Sequence, residues 1–144
     1  MKRDGKLSLA LHALGHMARA VGPLTSEVIA AHSGTHAVVV RRVLGRLREA
    51  GLVASEKGHA GGWQLARPPE TVSLADVYEA LGERVLAPVS LGAPPGCAIE
   101  AALHAAVDGA LHEAEALLLT RLRTVTIADL ARAGGGRGPG MDGG

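Results

Sequence analysis

The sequence predicts a mainly α-helical fold with a small β-wing. The architecture is a winged helix-turn-helix domain plus a long C-terminal dimerisation helix. Three observations predict it. Residues 24–47 read as two helices joined by a tight turn, with small Ala30 where the helices would cross and Gly34 four residues later. A Gly-rich hairpin follows at once, from residue 52 to 66. Further on, Leu103, Val107, Leu111, Ala114, Leu118, Leu122 and Val125 recur every three or four residues, the spacing of one long helical stripe.

The first helix is expected over about residues 5–20. Leu7, Ala10, Leu11, Leu14, Met17, Ala18 and Val21 make its apolar face, and Gly22-Pro23 ends it. Thr25 or Ser26 caps a second helix whose Val28, Ile29 and Ala30 turn inward. Ser33-Gly34-Thr35 is the turn. A third helix over about residues 36–50 places Ala37, Val40, Leu44 and Leu47 in the core and stops at Gly51. Two short strands, 52–55 and 62–66, flank a loop at 56–61. Pro68-Pro69 breaks the second strand, and Ser73 caps a short helix over 74–81. Residues 87–96 hold three prolines and two glycines and read as a linker. The long helix is expected over about 98–123, and a short last helix over about 126–132. In domain terms, residues 1–84 form the winged helix-turn-helix and 85–97 a linker or sensor loop. Residues 98–133 carry the long and terminal helices, and 134–144 a Gly-rich tail expected to be disordered.

Composition sharpens this outline. Among 144 residues there is no Phe, one Trp and one Tyr, so the core is aliphatic. The net charge of +1 hides an asymmetry. Residues 34–67 carry six Lys/Arg against two acids, whereas residues 70–130 carry nine acids against three basic residues. A basic half joined to an acidic half suits a protein that meets a polyanion with one half only. The single cysteine, Cys97, excludes an intramolecular disulfide. No signal segment and no apolar run of membrane-spanning length is read, so the expected location is cytoplasmic, with no membrane partner. No catalytic constellation of Ser/His/Asp or paired carboxylates is recognisable, which argues against an enzyme.

Four stretches carry a family resemblance. They are Thr-Ser-Glu-Val-Ile-Ala (25–30), Leu-Arg-Glu-Ala-Gly-Leu-Val-Ala-Ser (47–55), Lys-Gly-His-Ala-Gly-Gly-Trp-Gln-Leu-Ala-Arg (57–67) and Val-Ser-Leu-Ala-Asp-Val (72–77). A fifth, weaker one is Val-Thr-Ile-Ala-Asp-Leu (125–130). Together they resemble the Rrf-two (BadM/IscR/NsrR) family of winged helix-turn-helix transcriptional regulators. The resemblance implies a homodimer that binds double-stranded DNA, as a repressor. Iron–sulfur members of that family place three cysteines before the long helix. Here that loop, Ser-Leu-Gly-Ala-Pro-Pro-Gly-Cys (90–97), fills only the last position, so no cofactor and no iron–sulfur cluster is expected. The recognition helix also departs from the cluster-binding branch, reading Val-Val-Val-Arg-Arg (38–42). The chain thus resembles a cluster-free, single-cysteine branch.

On the third helix, Thr35, His36, Val39, Arg42 and Arg46 are expected to point away from the core. Arg42 is the candidate for a guanine edge, because its planar fork matches two major-groove acceptors. Val39 is the candidate for a thymine methyl, and Arg41 and Arg46 are candidates for phosphate. Thr25 and Ser26 start the second helix, where free amides favour a phosphate. Lys57 and His59 sit at the wing tip, within reach of a minor groove. Cys97, just before the long helix, is the candidate redox or electrophile sensor, since helix N-termini suit a reactive thiol. Histidine pairs such as His12 with His16 lack the third and fourth ligands of a metal site, so no metal residues are assigned. Two other readings are a winged helix for protein–protein contact without specific DNA binding, and a metal-sensing regulator.

Overall fold

The computed structural model describes residues 5–57, 61–82 and 96–135. Six helices and one two-stranded sheet follow in the order α1 (Lys6–Arg19), α2 (Ser26–Ser33), α3 (Ala37–Glu49), β1 (Val53–Glu56), β2 (Gly62–Leu65), α4 (Leu74–Leu81), α5 (Ala98–Leu122) and α6 (Ile127–Gly135), with a 3-10 turn at Pro69–Thr71 before α4. The expected mainly helical fold with a small wing is present.

The core forms where the apolar faces of α1, α3 and α4 meet. Ala10, Leu14, Val40, Leu44, Leu47, Val77 and Leu81 are almost fully buried there. The Val and Leu side chains among them each contribute about 1.5–3 kcal/mol when removed from water. Two residues expected on inner faces are outside. α1 stops at Arg19 and Ala20 is extended, so Val21 leaves the stripe and is fully exposed. Val28 is also exposed, because α2 buries Ser26, Ile29 and Ala30 instead. Thr25 Oγ1 accepts the Val28 amide at 3.2 Å and caps α2, and Gly34 ends it in the left-handed region at φ +66°.

The wing is antiparallel, with Val53 opposite Leu65 and Ser55 opposite Trp63. It is fastened to the helices by a bridge between Leu24 and Trp63. The Leu24 amide donates to the Trp63 carbonyl at 2.9 Å and the Trp63 amide to the Leu24 carbonyl at 2.7 Å. Glycine at position 62 permits this approach, since a Cβ there would lie 2.6 Å from the Leu24 carbonyl oxygen. The Trp63 indole donates to Ser26 Oγ at 2.9 Å.

After the wing, Ser73 and Asp76 form a reciprocal capping box on α4, with bonds of 2.9 and 3.1 Å. Thr126 and Asp129 repeat that arrangement before α6, at 2.9 and 3.2 Å. The Thr126 backbone and hydroxyl hold the Asp129 carboxyl below its ordinary value. The two capped starts are bonded to each other. Ser73 bridges Thr126, the Leu74 amide donates to the Val125 carbonyl, and the Ile127 amide donates to the Val72 carbonyl. Ile127 is fully buried, and α6 packs on α1. α6 runs three residues beyond the expected end at 132, so the tail expected to be disordered from 134 begins as helix. The rest of that tail and most of the 85–97 linker lie outside the described residues.

α5 differs from every other helix. At about 1.5 Å per residue its 25 residues reach about 37 Å, and none of them is buried. Ile99, Leu103 and Leu117 are openly exposed, while Val107, Leu111, Leu118 and Leu122 are half-buried. Among the described residues, no helix is long and apolar enough to cross a membrane.

Two polar arrangements make predictions. Arg46 on α3 donates from Nη1 to the Leu81 carbonyl at 3.0 Å and so closes the C-terminal end of α4. Arg46→Ala should lower unfolding free energy by about 1 kcal/mol, read by urea denaturation. Unchanged stability would put the guanidinium elsewhere. His12, His16 and His32 form a cluster where α1 meets α2. His16 Nε2 lies 3.0 Å from His12 Nε2, and its ring stacks on His32 at 4.7 Å. Burial, then His12, His32 and Arg19, hold the His16 imidazole below its ordinary value of 6.5. The unfolded chain therefore takes up this proton first, so the contribution is present above pH 6.5 and is lost as pH falls from there through the lowered folded value. Urea midpoints should fall from about pH 7 to about pH 5, and His16→Gln should flatten that slope; an equal slope in the variant would assign the loss to other groups.

Candidate nucleic-acid interface

In a winged helix-turn-helix, the second helix of the pair enters the major groove while the wing reaches the adjacent backbone. Here that helix is α3, and its burial pattern divides it cleanly. Val40, Val43, Leu44 and Leu47 face the core, whereas His36, Arg41, Arg42, Arg46 and Arg48 are exposed. His36 is the N-cap residue without a capping side-chain bond. Thr35 and Val39 are half-buried and line a cavity of about 450 Å³ with His12, His32 and Ser33. They sit at the start of α3, next to the outward face rather than fully on it.

The four arginines of α3 differ in what holds them. Arg48 donates to Ser55 Oγ at 3.2 Å and lies 5.8 Å above the Trp63 ring, so it braces the wing. Arg46 is exposed but gives its Nη1 to the Leu81 carbonyl at the end of α4. Arg41 is ion-paired with Glu27 of α2 at 2.9 Å. Among the described residues Arg42 has no hydrogen-bond or ion-pair partner, and it is exposed.

The start of α2 presents Thr25 at the surface but not Ser26. Ser26 is buried, and its hydroxyl accepts the indole N–H, so its side chain is a structural post and not a phosphate ligand. Thr25 and Lys57 both line a cleft of about 410 Å³ between α2, α3 and the wing. Lys57 is exposed at the end of the described part of the wing, and His59 lies outside the described residues. Sequence reasoning missed Glu27, Arg48 and the joining of His32 to the His12–His16 pair. Glu27 stands fourteen positions from Arg41, a separation with no local signature. Among the described residues, no group of three or more His, Cys, Asp or Glu is arranged to hold a metal ion. Cys97 is exposed and stands at the N-cap of α5.

Comparison with known proteins bears on the chain as a whole. The Rrf2 family model, described as an iron-dependent transcriptional regulator, matches residues 3–133. An rrf2-like HTH-type transcriptional regulator of Rhodobacter capsulatus is 40% identical over 77 residues, which are 50% of this chain and 51% of that protein. The chain thus spans about half the length of that relative. Protein rrf2 of Nitratidesulfovibrio vulgaris is 33% identical over 112 residues, 76% of this chain and 72% of the relative. Among solved structures, the oxidized form of Staphylococcus aureus CymR superposes with a TM-score of 0.66 at 25% identity, covering 91% of this chain and 96% of that one. Because the family model spans the helix-turn-helix, the wing and the long helix alike, the chain belongs to the Rrf2 family and is a DNA-binding transcriptional regulator.

Proposed function

We propose that the chain is a homodimeric, cytoplasmic repressor that reads its operator with α3, holds no iron–sulfur cluster and responds to oxidants or electrophiles through Cys97. The observation that carries this reading is Arg42. It is exposed on the outward face of the reading helix and is the arginine of that helix left without a partner among the described residues. A free guanidinium can present both donors of its fork to a guanine edge. Arg41, Lys57 and the Thr25 hydroxyl supply contacts to the backbone around it, with Val39, Thr35 and His36 at the start of the helix. In this reading the protein regulates and does not catalyse.

Dimerisation rests on α5. An exposed helix with apolar residues on several sides is stable only when something covers it. A second copy of α5 does so and brings two reading heads to half-sites about 34 Å apart, or a multiple of that. The absence of a cluster rests on chemistry. Ligation of iron–sulfur clusters uses several thiolates, and the sequence offers Cys97 alone.

Cys97 stands exposed where α5 starts. Peroxide transfers one oxygen to the thiolate sulfur and departs as water. The sulfenic acid then exchanges its hydroxyl for a second thiol, releasing another water. Either product adds bulk or a tether at one end of the dimer helix. A differential stabilisation of about 1.4 kcal/mol is enough to change DNA affinity tenfold.

Two measurements test this function. Arg42→Ala should cost about 1–3 kcal/mol on a duplex enriched from a randomised pool, and much less on shuffled DNA. An equal loss on both would remove Arg42 from base reading. Wild type and Cys97→Ser should both sediment as dimers, and only the wild type should change its DNA affinity on treatment with peroxide or diamide. Identical affinities in all four conditions would make Cys97 a bystander.

A further inference from the structure

The arginines of α3 are not restrained for the same purpose. Arg46 and Arg48 are tied to parts of the scaffold, the end of α4 and the wing strand. Arg41 is tied to another surface group. Its Nη2 lies 2.9 Å from Glu27 Oε1, and both side chains are more than half exposed, at 52% and 67%. Such a pair adds little to folding and weakens with salt. Stability therefore gives no reason for it. Its position does. Arg41 and Glu27 line the same cleft between α2, α3 and the wing, together with Thr25, Lys57 and Glu56. Glu56 is already engaged, accepting Gln64 Nε2 at 2.8 Å. Glu27 also occupies the first turn of α2, where the helix dipole favours a negative charge and would otherwise favour a phosphate.

We propose that Glu27 is a specificity gate: it holds Arg41 away from DNA phosphate until base contacts seat α3 fully in the groove. This rests on the reading of α3 as the DNA-facing helix. Binding to random DNA is driven almost entirely by phosphate neutralisation. A cation already paired with a carboxylate contributes little to it, and that carboxylate repels the same phosphates. On the cognate sequence, base contacts through Arg42 bring the backbone close enough to exchange Glu27 for phosphate on Arg41. The gate therefore lowers random affinity more than cognate affinity. It discriminates by a repulsive element rather than by an added attraction.

The test uses the full chain and two duplexes. One is enriched by the wild type from a randomised pool, and the other has the same composition shuffled. Affinities are measured across a salt series. Glu27→Gln should raise affinity for shuffled DNA at least about fivefold at low salt and steepen its salt slope by about 0.9, one added phosphate. The enriched duplex should gain clearly less, so the ratio between the two falls. The steeper slope should vanish in the double variant Glu27→Gln/Arg41→Ala, which ties it to Arg41. Glu70→Gln, an exposed acid on the 3-10 turn outside the cleft, changes net charge equally and should leave the ratio unchanged. A Glu27→Gln variant that shifts both duplexes alike, or no more than Glu70→Gln does, overturns the gate while the reading of the interface stands. A wild type that treats the two duplexes alike overturns that reading and the gate with it.

Discussion

Trp63 sets the geometry of the face that α3 and the wing form together. It is the only tryptophan in a chain without phenylalanine, and it joins three elements at one point. Its backbone bridges Leu24 ahead of α2, its indole N–H is held by Ser26 within α2, and Arg48 of α3 lies over its ring. Two strands of four residues have no independent stability. Their angle to the helices must come from such contacts. The indole is nearly buried, so its N–H needs an acceptor, and Ser26 is that acceptor. The position of the wing relative to α3 therefore follows from a satisfied donor in an aliphatic core. The face that α3 and the wing form together inherits its shape from that bond.

A second constraint governs the long helix. Its C-terminal end is fixed to the domain by the paired capping motifs at 72–77 and 125–130, by buried Ile127, and by the Arg123–Glu79 ion pair at 2.8 Å. Its N-terminal end, at Cys97, has no buried residue in its first turns. Glu100 is the most covered side chain of that first turn, 13% exposed, and its Oε1 lies 3.2 Å from His104 Nε2 one turn further on.

Periodicity made the helices legible, and caps made their ends legible. Gly34, Gly51 and Ser73 stand at the element ends where backbone chemistry puts them. The errors have separate causes, and only at Val28 did a long-range contact outweigh a local pattern. Val28 looks apolar enough to point inward, but α2 is two turns long and Ser26 takes the inner position for the indole. Val21 fits the stripe of α1 by spacing and lies past the helix end. α6 outlasts its expected end despite two glycines, and the sequence pattern there contains no signal for continuation. The two hexapeptides Val-Ser-Leu-Ala-Asp-Val and Val-Thr-Ile-Ala-Asp-Leu read as separate helix starts. Only the fold brings Ser73 against Thr126.

The same distinction applies to function. Six basic residues between 34 and 67 announce a polyanion surface, but a count of charge treats every arginine alike. Among the four arginines of α3, Arg46 closes a helix, Arg48 braces a strand and Arg41 is held by an acid, which leaves Arg42. Arginine serves all these purposes because its fork can bind a carbonyl, a hydroxyl, a carboxylate or a base edge with the same geometry. Whether a given arginine is structural or available depends on the acceptor nearest in space, and that acceptor lies as few as seven or as many as thirty-five residues away. An available arginine is therefore recognised less by its type than by the lack of a competing acceptor within the fold.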